Sequence, residues 1–334
     1  MIKIDNIEYY LPANKIANQD LADKFPEWDI EKVSAKSGVM LRHVSNEDET
    51  ALDLAKRACD QLFEKEPTLK DEVDGIVFCT QSPDHIMPSN AFLMQQYLGL
   101  CNQVLAFDYN LACSGYVYGL SIINGLISTG VANKVLLITA DTYSKYMGEK
   151  DRSTRVLFSD AAAVSLISKG KTNAVMDTVL ASCGNEYESF FIPAGGHKIP
   201  RSEETSMELE TIGGNIRSLE NIHMNGFNVW KFIATAVPRQ IKEILKKNEL
   251  TSSDIKLFLF HQASKLTLDS LIKALKLPES KVYSNLKYVG NTVSASIPIL
   301  IKDAEDGGKL ERGDLVLISG FGVGLSWGSI ILRY

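Results

Sequence analysis

Short, continuous apolar runs punctuate the chain, and they are rich in β-branched and aromatic residues. Gly75-Ile-Val-Phe-Cys79, Lys134-Val-Leu-Leu-Ile138, Lys256-Leu-Phe-Leu-Phe260 and Asp314-Leu-Val-Leu-Ile318 predict strands buried on both faces. Between them the apolar positions recur every three to four residues, which predicts helices over 51–63, 113–128, 229–247 and 264–277. Strand and helix therefore alternate, and the chain belongs to the α/β class.

A weak internal repeat refines this picture. In the first half a strand ends at Cys79, a second strand covers 104–107, and a helix opens at Cys113. In the second half a strand ends at His261, a further strand is expected at 282–286, and the small-residue segment 291–297 opens the next helix. Each helix then leads through a Gly-containing loop to a hydrophobic strand. We therefore expect two related halves, 1–170 and 171–334, with Cys113 and Asn291 at equivalent corners. The polar stretch 198–220 reads as a surface flap on the second half rather than a linker.

Composition excludes several classes of function. The 334 residues include 45% hydrophobic types, enough for a substantial core. Lys and Arg number 35 against 41 Asp and Glu, a formal charge of −6, so nothing draws the whole molecule to nucleic acid or an anionic membrane. The N-terminal segment lacks a signal-peptide pattern, no apolar run reaches membrane-spanning length, and the five cysteines are irregularly spaced. A cytoplasmic protein with free thiols, no metal site and no tightly bound cofactor is the expectation.

Among the cysteines, Cys113 alone combines a strand-to-helix corner with flanking Ala, Ser and Gly. A helix N-terminus favours thiolate, so its pKa is expected to be lowered. His261 stands at the carboxyl end of an apolar strand, where open α/β sheets place functional groups. Taken singly, each residue has an ordinary reading as well: a buried thiol, a core imidazole, and an Asn291 that caps a turn.

Together the segments resemble the β-ketoacyl-acyl-carrier-protein synthase III family of the thiolase superfamily over nearly the whole chain. The matching motifs are Leu111-Ala-Cys-Ser-Gly115, Leu157-Phe-Ser-Asp-Ala161, His261-Gln-Ala263, Gly290-Asn-Thr292 with Ala295-Ser-Ile-Pro298, and Phe321-Gly-Val-Gly-Leu-Ser-Trp-Gly328. The resemblance implies a thiolase-like fold of two pseudo-symmetric halves layered α/β/α/β/α, working as a homodimer. It implies that Cys113 takes an acyl group from acyl-CoA, while His261 and Asn291 hold the carbonyl of a malonyl thioester, carried by acyl carrier protein or coenzyme A, as carbon dioxide leaves. Two donors aimed at the oxygen that becomes negative stabilise the transition state above the ground state. The backbone N–H groups of Cys113 and Val323 would form the oxyanion hole of the acyl-transfer step, with Gly322 and Gly324 on either side of Val323 contacting the substrate.

Other positions match or depart from the family pattern. Lys36 and Arg152 fall where the coenzyme is contacted, and Met87 falls where a partner subunit closes the acyl pocket. Ser264 and Leu266 replace the Asn and Arg that usually follow His-Gln-Ala. Lys265, Lys273 and Lys276 lie within about 80° of one helical face at ~100° per residue, a candidate docking face for the carrier. The altered docking residues leave a second activity open, transfer of the acyl group from Cys113 to an oxygen or nitrogen acceptor with His261 as base. A Cys-His-Glu set or a second catalytic cysteine would have pointed to other members of the superfamily.

Overall fold

A computed structural model describes residues 2–170, 175–211 and 213–334. One sheet is built from β1 (Ile2–Tyr10), β2 (Gly75–Cys79), β3 (Leu105–Tyr109), β4 (Lys134–Asp141) and β5 (Ala161–Lys169), in the order β1-β5-β4-β2-β3. The other takes β6 (Val175–Ser182), β7 (Leu257–Phe260), β8 (Leu315–Gly322) and β9 (Ser326–Arg333), in the order β7-β8-β9-β6. The pairings repeat: β2–β4 and β7–β8 are parallel, then β4–β5–β1 and β8–β9–β6 are antiparallel. Where the first sheet continues to β3, the second has only a parallel bridge between Phe258 and Val282. The strand expected at 282–286 is reduced to that bridge because Ser284 donates to the Gln262 side chain, Asn285 donates to Asp303, and a helical turn begins at Leu286. The expected junction between halves falls at residue 171, outside the described residues.

The helices of eight or more residues are α1 (Ile30–Ser37), α2 (Ala51–Lys65), α3 (Asn90–Leu98), α4 (Gly115–Ser128), α5 (Gly226–Lys247), α6 (Lys265–Leu275) and α7 (Ser296–Asp306). Strand alternation dictates how they stack. On β2, Val77 points to the central layer, while Ile76 and Phe78 point outward to α2 and α3. On β7, Leu257 and Leu259 point to the central layer, while Phe258 and Phe260 meet α5 and α6. The central layer itself is α4 and α7, whose Leu120, Ile123, Leu300 and Ile301 are covered by both sheets. Five layers result, α/β/α/β/α, because strands apolar on both faces must be covered on both.

This stacking aims the carboxyl ends of β2, β4, β7 and β8 at the two corners that open α4 and α7. The segment 198–220, of which Ile212 lies outside the described residues, is mostly exposed and holds only short elements. It is anchored by a two-residue ladder between Phe190–Phe191 and His223–Met224 and by the Ile222 N–H donating to the Tyr146 carbonyl at 2.9 Å. Phe190 and Ile222 thereby close over a cluster that contains Cys113, Tyr143 and Phe158. Among the described residues, no helix is long and apolar enough to cross a membrane.

Candidate active site

Cys113 sits in a tight turn just before α4, with Ser114 at the cap and the Gly115 N–H donating to the Ala112 carbonyl at 2.8 Å. Strand β8 passes directly against it. A Cβ on Gly322 would lie 2.8 Å from both the Cβ and the Sγ of Cys113, and one on Gly320 would lie 2.7 Å from its carbonyl oxygen. Only glycine leaves room for the sulfur here. The backbone N–H groups of Val323 and Cys113 itself point at Sγ and favour its charged form.

Those donors do not win. Burial pushes the Cys113 thiol up to about 12, and the nearby Asp141 carboxylate pushes in the same direction. The expectation of a lowered pKa is therefore corrected: Cys113 is 4% exposed, and desolvation outweighs the N–H groups around its sulfur. Asp141, at the end of β4, accepts from the Gln81 N–H at 2.8 Å and from the Ser294 hydroxyl at 2.5 Å; burial raises its own pKa to about 7. It ties the corner after Asn291 to the first sheet.

His261 follows β7, its backbone N–H donating to the Ser319 carbonyl at 2.9 Å. Its ring stands edge-on to Phe321, and neither ring nitrogen has a hydrogen-bond partner among the described residues. Burial lowers its pKa to about 3, so the imidazole is neutral with one donor and one acceptor to offer. Asn291 is held in a parallel bridge to Phe158: its N–H donates to the Leu157 carbonyl at 3.0 Å, and the Ser159 N–H donates to its carbonyl at 2.8 Å. Its side-chain oxygen accepts from the Val293 N–H at 3.0 Å, which turns the Nδ2 donors the other way, 3.4 Å from the Ala263 carbonyl. Val293 is thereby held at φ +54°, a conformation costly for a β-branched residue.

Cys113, His261 and Asn291 line one cleft of about 140 Å³, walled by Phe158, Phe190, Val229 and Phe321. It meets an outer cavity of about 480 Å³ at Leu157, Ser264 and Leu266. Lys32, Lys36 and Arg152 line that outer cavity with one carboxylate, Asp29. Ser264 caps α6, accepting from the Thr267 N–H at 3.2 Å, while Leu266 presents an apolar side chain where the two spaces join. On the far side of Phe190 a third cavity, of about 340 Å³, is lined by Val323 and Gly324 among others.

The remaining expected residues fall elsewhere. Met87 is 80% exposed and lines none of these three spaces in the single chain. Lys265 is ion-paired with Asp269 at 2.5 Å, and α6 stops at Leu275, so Lys276 lies beyond the helix at φ +54° rather than on its face. Conversely, Phe190, Val229, Trp230 and Asp141 were not singled out from sequence; all except Asp141 lie in or beside the flap, where no motif marks them. Among the described residues no group of His, Cys, Asp and Glu side chains is arranged to hold a metal.

Two family profiles match this chain: 3-oxoacyl-[acyl-carrier-protein] synthase III over residues 107–184, and the C-terminal part of the same family over 245–334. The first covers Cys113, the second His261 and Asn291. A β-ketoacyl-[acyl-carrier-protein] synthase III from Campylobacter curvus is 33% identical over 330 residues, spanning 98% of this chain and 96% of its own. The chain belongs to the 3-oxoacyl-[acyl-carrier-protein] synthase III family. A 2.1 Å crystal structure of a 3-oxoacyl-(acyl-carrier-protein) synthase III superposes with a TM-score of 0.97 at 37% identity, covering 100% of this chain and 99% of that one. The synthase III structure from Aquifex aeolicus gives 0.87 at 30% identity, covering 100% of both. As a member of this synthase III family, the protein is an acyltransferase with a thiolase fold.

Proposed function

We propose that the protein joins an acyl-CoA primer to a malonyl thioester by decarboxylative Claisen condensation through an acyl-Cys113 intermediate. The observation that carries this reading is the meeting of a thiol, a neutral imidazole with free ring nitrogens and a fixed carboxamide on one buried cleft, reached from a basic outer cavity. In the first half-reaction the Cys113 sulfur attacks the thioester carbonyl, coenzyme A leaves as its thiol, and the N–H groups of Cys113 and Val323 hold the oxyanion. In the second, His261 and Asn291 donate to the malonyl thioester oxygen while the carboxylate departs as carbon dioxide. The enolate carbon then attacks the acyl-Cys113 carbonyl, the carbon–sulfur bond breaks, and the Cys113 sulfur leaves and regains a proton. The chemistry so written needs no resident cofactor.

A neutral His261 suits this role. An imidazole with a pKa of about 3 donates one N–H at neutral pH without adding a cation to the ground state. Lys36 and Arg152 would meet the coenzyme phosphates at the mouth. Acyl carrier protein is the proposed malonyl donor, in keeping with the relatives' names, with Lys265, Lys273 and Lys276 as its weaker docking contacts. We also read 1–170 and 171–334 as the two halves, and a homodimer formed along β3, which pairs with a strand on only one side. Met87, exposed in one chain, would then reach the partner.

The test is product stoichiometry. Purified protein given acyl-CoA and malonyl-acyl carrier protein should release coenzyme A, carbon dioxide and β-ketoacyl-carrier in equal amounts, and Cys113→Ala should abolish coenzyme A release and the β-ketoacyl product. Carbon dioxide release without a β-ketoacyl product from the parent enzyme would refute condensation.

A further inference from the structure

The space beyond Phe190 bears on which acyl group reaches Cys113. Val323, whose N–H is aimed at the Cys113 sulfur, also lines the cavity of about 340 Å³, so an acyl chain on that sulfur needs to pass only one residue to enter it. At about 30 Å³ for each water-sized unit, the cavity holds roughly ten non-hydrogen atoms. Its walls are apolar and aromatic, formed by Tyr146, Phe190, Phe191 and Ile222.

A polar chain crosses the remaining wall. The Tyr143 hydroxyl donates to Gln81 Oε1 at 2.5 Å, and Gln81 Nε2 donates to Asn110 Oδ1 at 2.8 Å. The Gln81 backbone is itself pinned by Asp141, so this amide is fixed in place. The donors can be counted. Each acceptor oxygen already takes one hydrogen bond, whereas Gln81 keeps one N–H and Asn110 keeps both of its own. All residues lining the cavity are uncharged. A carboxylate tip would therefore meet no counter-ion among the lining residues, while a neutral oxygen would find donors.

We propose that the primer loaded onto Cys113 is an acyl group of roughly six to ten non-hydrogen atoms whose far end carries a neutral hydrogen-bond acceptor, a keto or hydroxyl oxygen. This rests on the acyl-Cys113 reading and adds the substrate class. Gln81 and Asn110 act as specificity residues: they touch the tip of the primer and take no part in bond making.

The experiment measures kcat/KM for acylation of Cys113, by intact-protein mass spectrometry, with octanoyl-CoA, 7-oxooctanoyl-CoA and 7-carboxyheptanoyl-CoA. One well-placed neutral hydrogen bond in a half-exposed site corresponds to a preference of about tenfold for the oxo primer over octanoyl. The carboxylate primer should be the poorest of the three. Gln81→Leu and the more exposed Asn110→Leu should each bring the oxo-to-octanoyl ratio towards one. The ratio is internally controlled, since both primers acylate the same sulfur. A ratio of one or less in the parent protein, a preference unmoved by either variant, or the carboxylate primer reacting fastest would overturn the inference while leaving acyl-Cys113 chemistry intact. Failure of these primers and of acetyl-CoA to acylate Cys113 would instead overturn the function, and this inference with it.

Discussion

Replacing Gly322 by Ala probes the fit between β8 and the nucleophile. The added methyl would lie 2.8 Å from both the Cβ and the Sγ of Cys113, whereas carbon atoms rest at about 3.5–4.0 Å. Relieving the clash requires the sulfur or the strand to move by about 1 Å. A displacement of that size at a reacting atom costs on the order of a hundredfold in rate. Overpacking a well-filled interior adds a stability cost of about 1–3 kcal/mol, which lowers the melting temperature by several degrees without unfolding the chain. The assay is the single-turnover rate of Cys113 acylation by a saturating acyl-CoA, followed by rapid quench and intact mass, alongside a thermal melt. Because the methyl projects at Cys113 and not at His261, malonyl decarboxylation should fall far less than acylation. Acylation within threefold of the parent rate would show that the tight approach of Gly322 has no bearing on catalysis.

Three further outcomes are expected. With the Cys113 thiol raised to about 12, only a small fraction is thiolate at neutral pH, and that fraction grows tenfold per pH unit below the pKa. Iodoacetamide labelling of Cys113, read by peptide mass spectrometry, should therefore rise close to tenfold per unit from pH 6 to 9, and a plateau near pH 7 would contradict the burial argument. Asn291→Ala should slow malonyl decarboxylation about a hundredfold or more while acylation of Cys113 changes by less than tenfold, as measured by separate assays of the two half-reactions. Charge reversal at Lys36 or Arg152, at the rim of the outer cavity, should raise KM for acyl-CoA roughly tenfold with kcat little changed, and the effect should shrink in high salt.

The α/β class was legible because its strands are apolar on both faces, whereas the five-layer arrangement was implied only by the family resemblance. Leu257-Phe258-Leu259-Phe260 read as a strand and is one, its leucines turned to the central layer and its phenylalanines outward. Segment 282–286 misled because apolar residues flank Ser284 and Asn285, whose side chains find partners that only the folded chain provides. The three residues of the cleft were legible as a set of motifs, although 148 positions separate Cys113 from His261 in sequence. The pKa of Cys113 was not. A helix start is visible in sequence, but the Asp141 carboxylate behind the sulfur and the burial beneath Phe190 are products of tertiary packing. The helical placement of Lys276 was not legible either, since α6 ends at Leu275 and leaves Lys276 at its cap.

Whether acyl-Cys113 is an intermediate in carbon–carbon bond formation is settled most directly by a chase. The protein is acylated with isotope-labelled acyl-CoA, freed of excess reagent, and the adduct is located on Cys113 by peptide mass spectrometry. Malonyl-acyl carrier protein is then added in a single turnover. The label should leave Cys113 and appear in a β-ketoacyl-carrier product as carbon dioxide is released in equal amount. An adduct that persists with malonyl donors, yet discharges to an alcohol or amine, would contradict condensation and assign the protein to heteroatom acyl transfer.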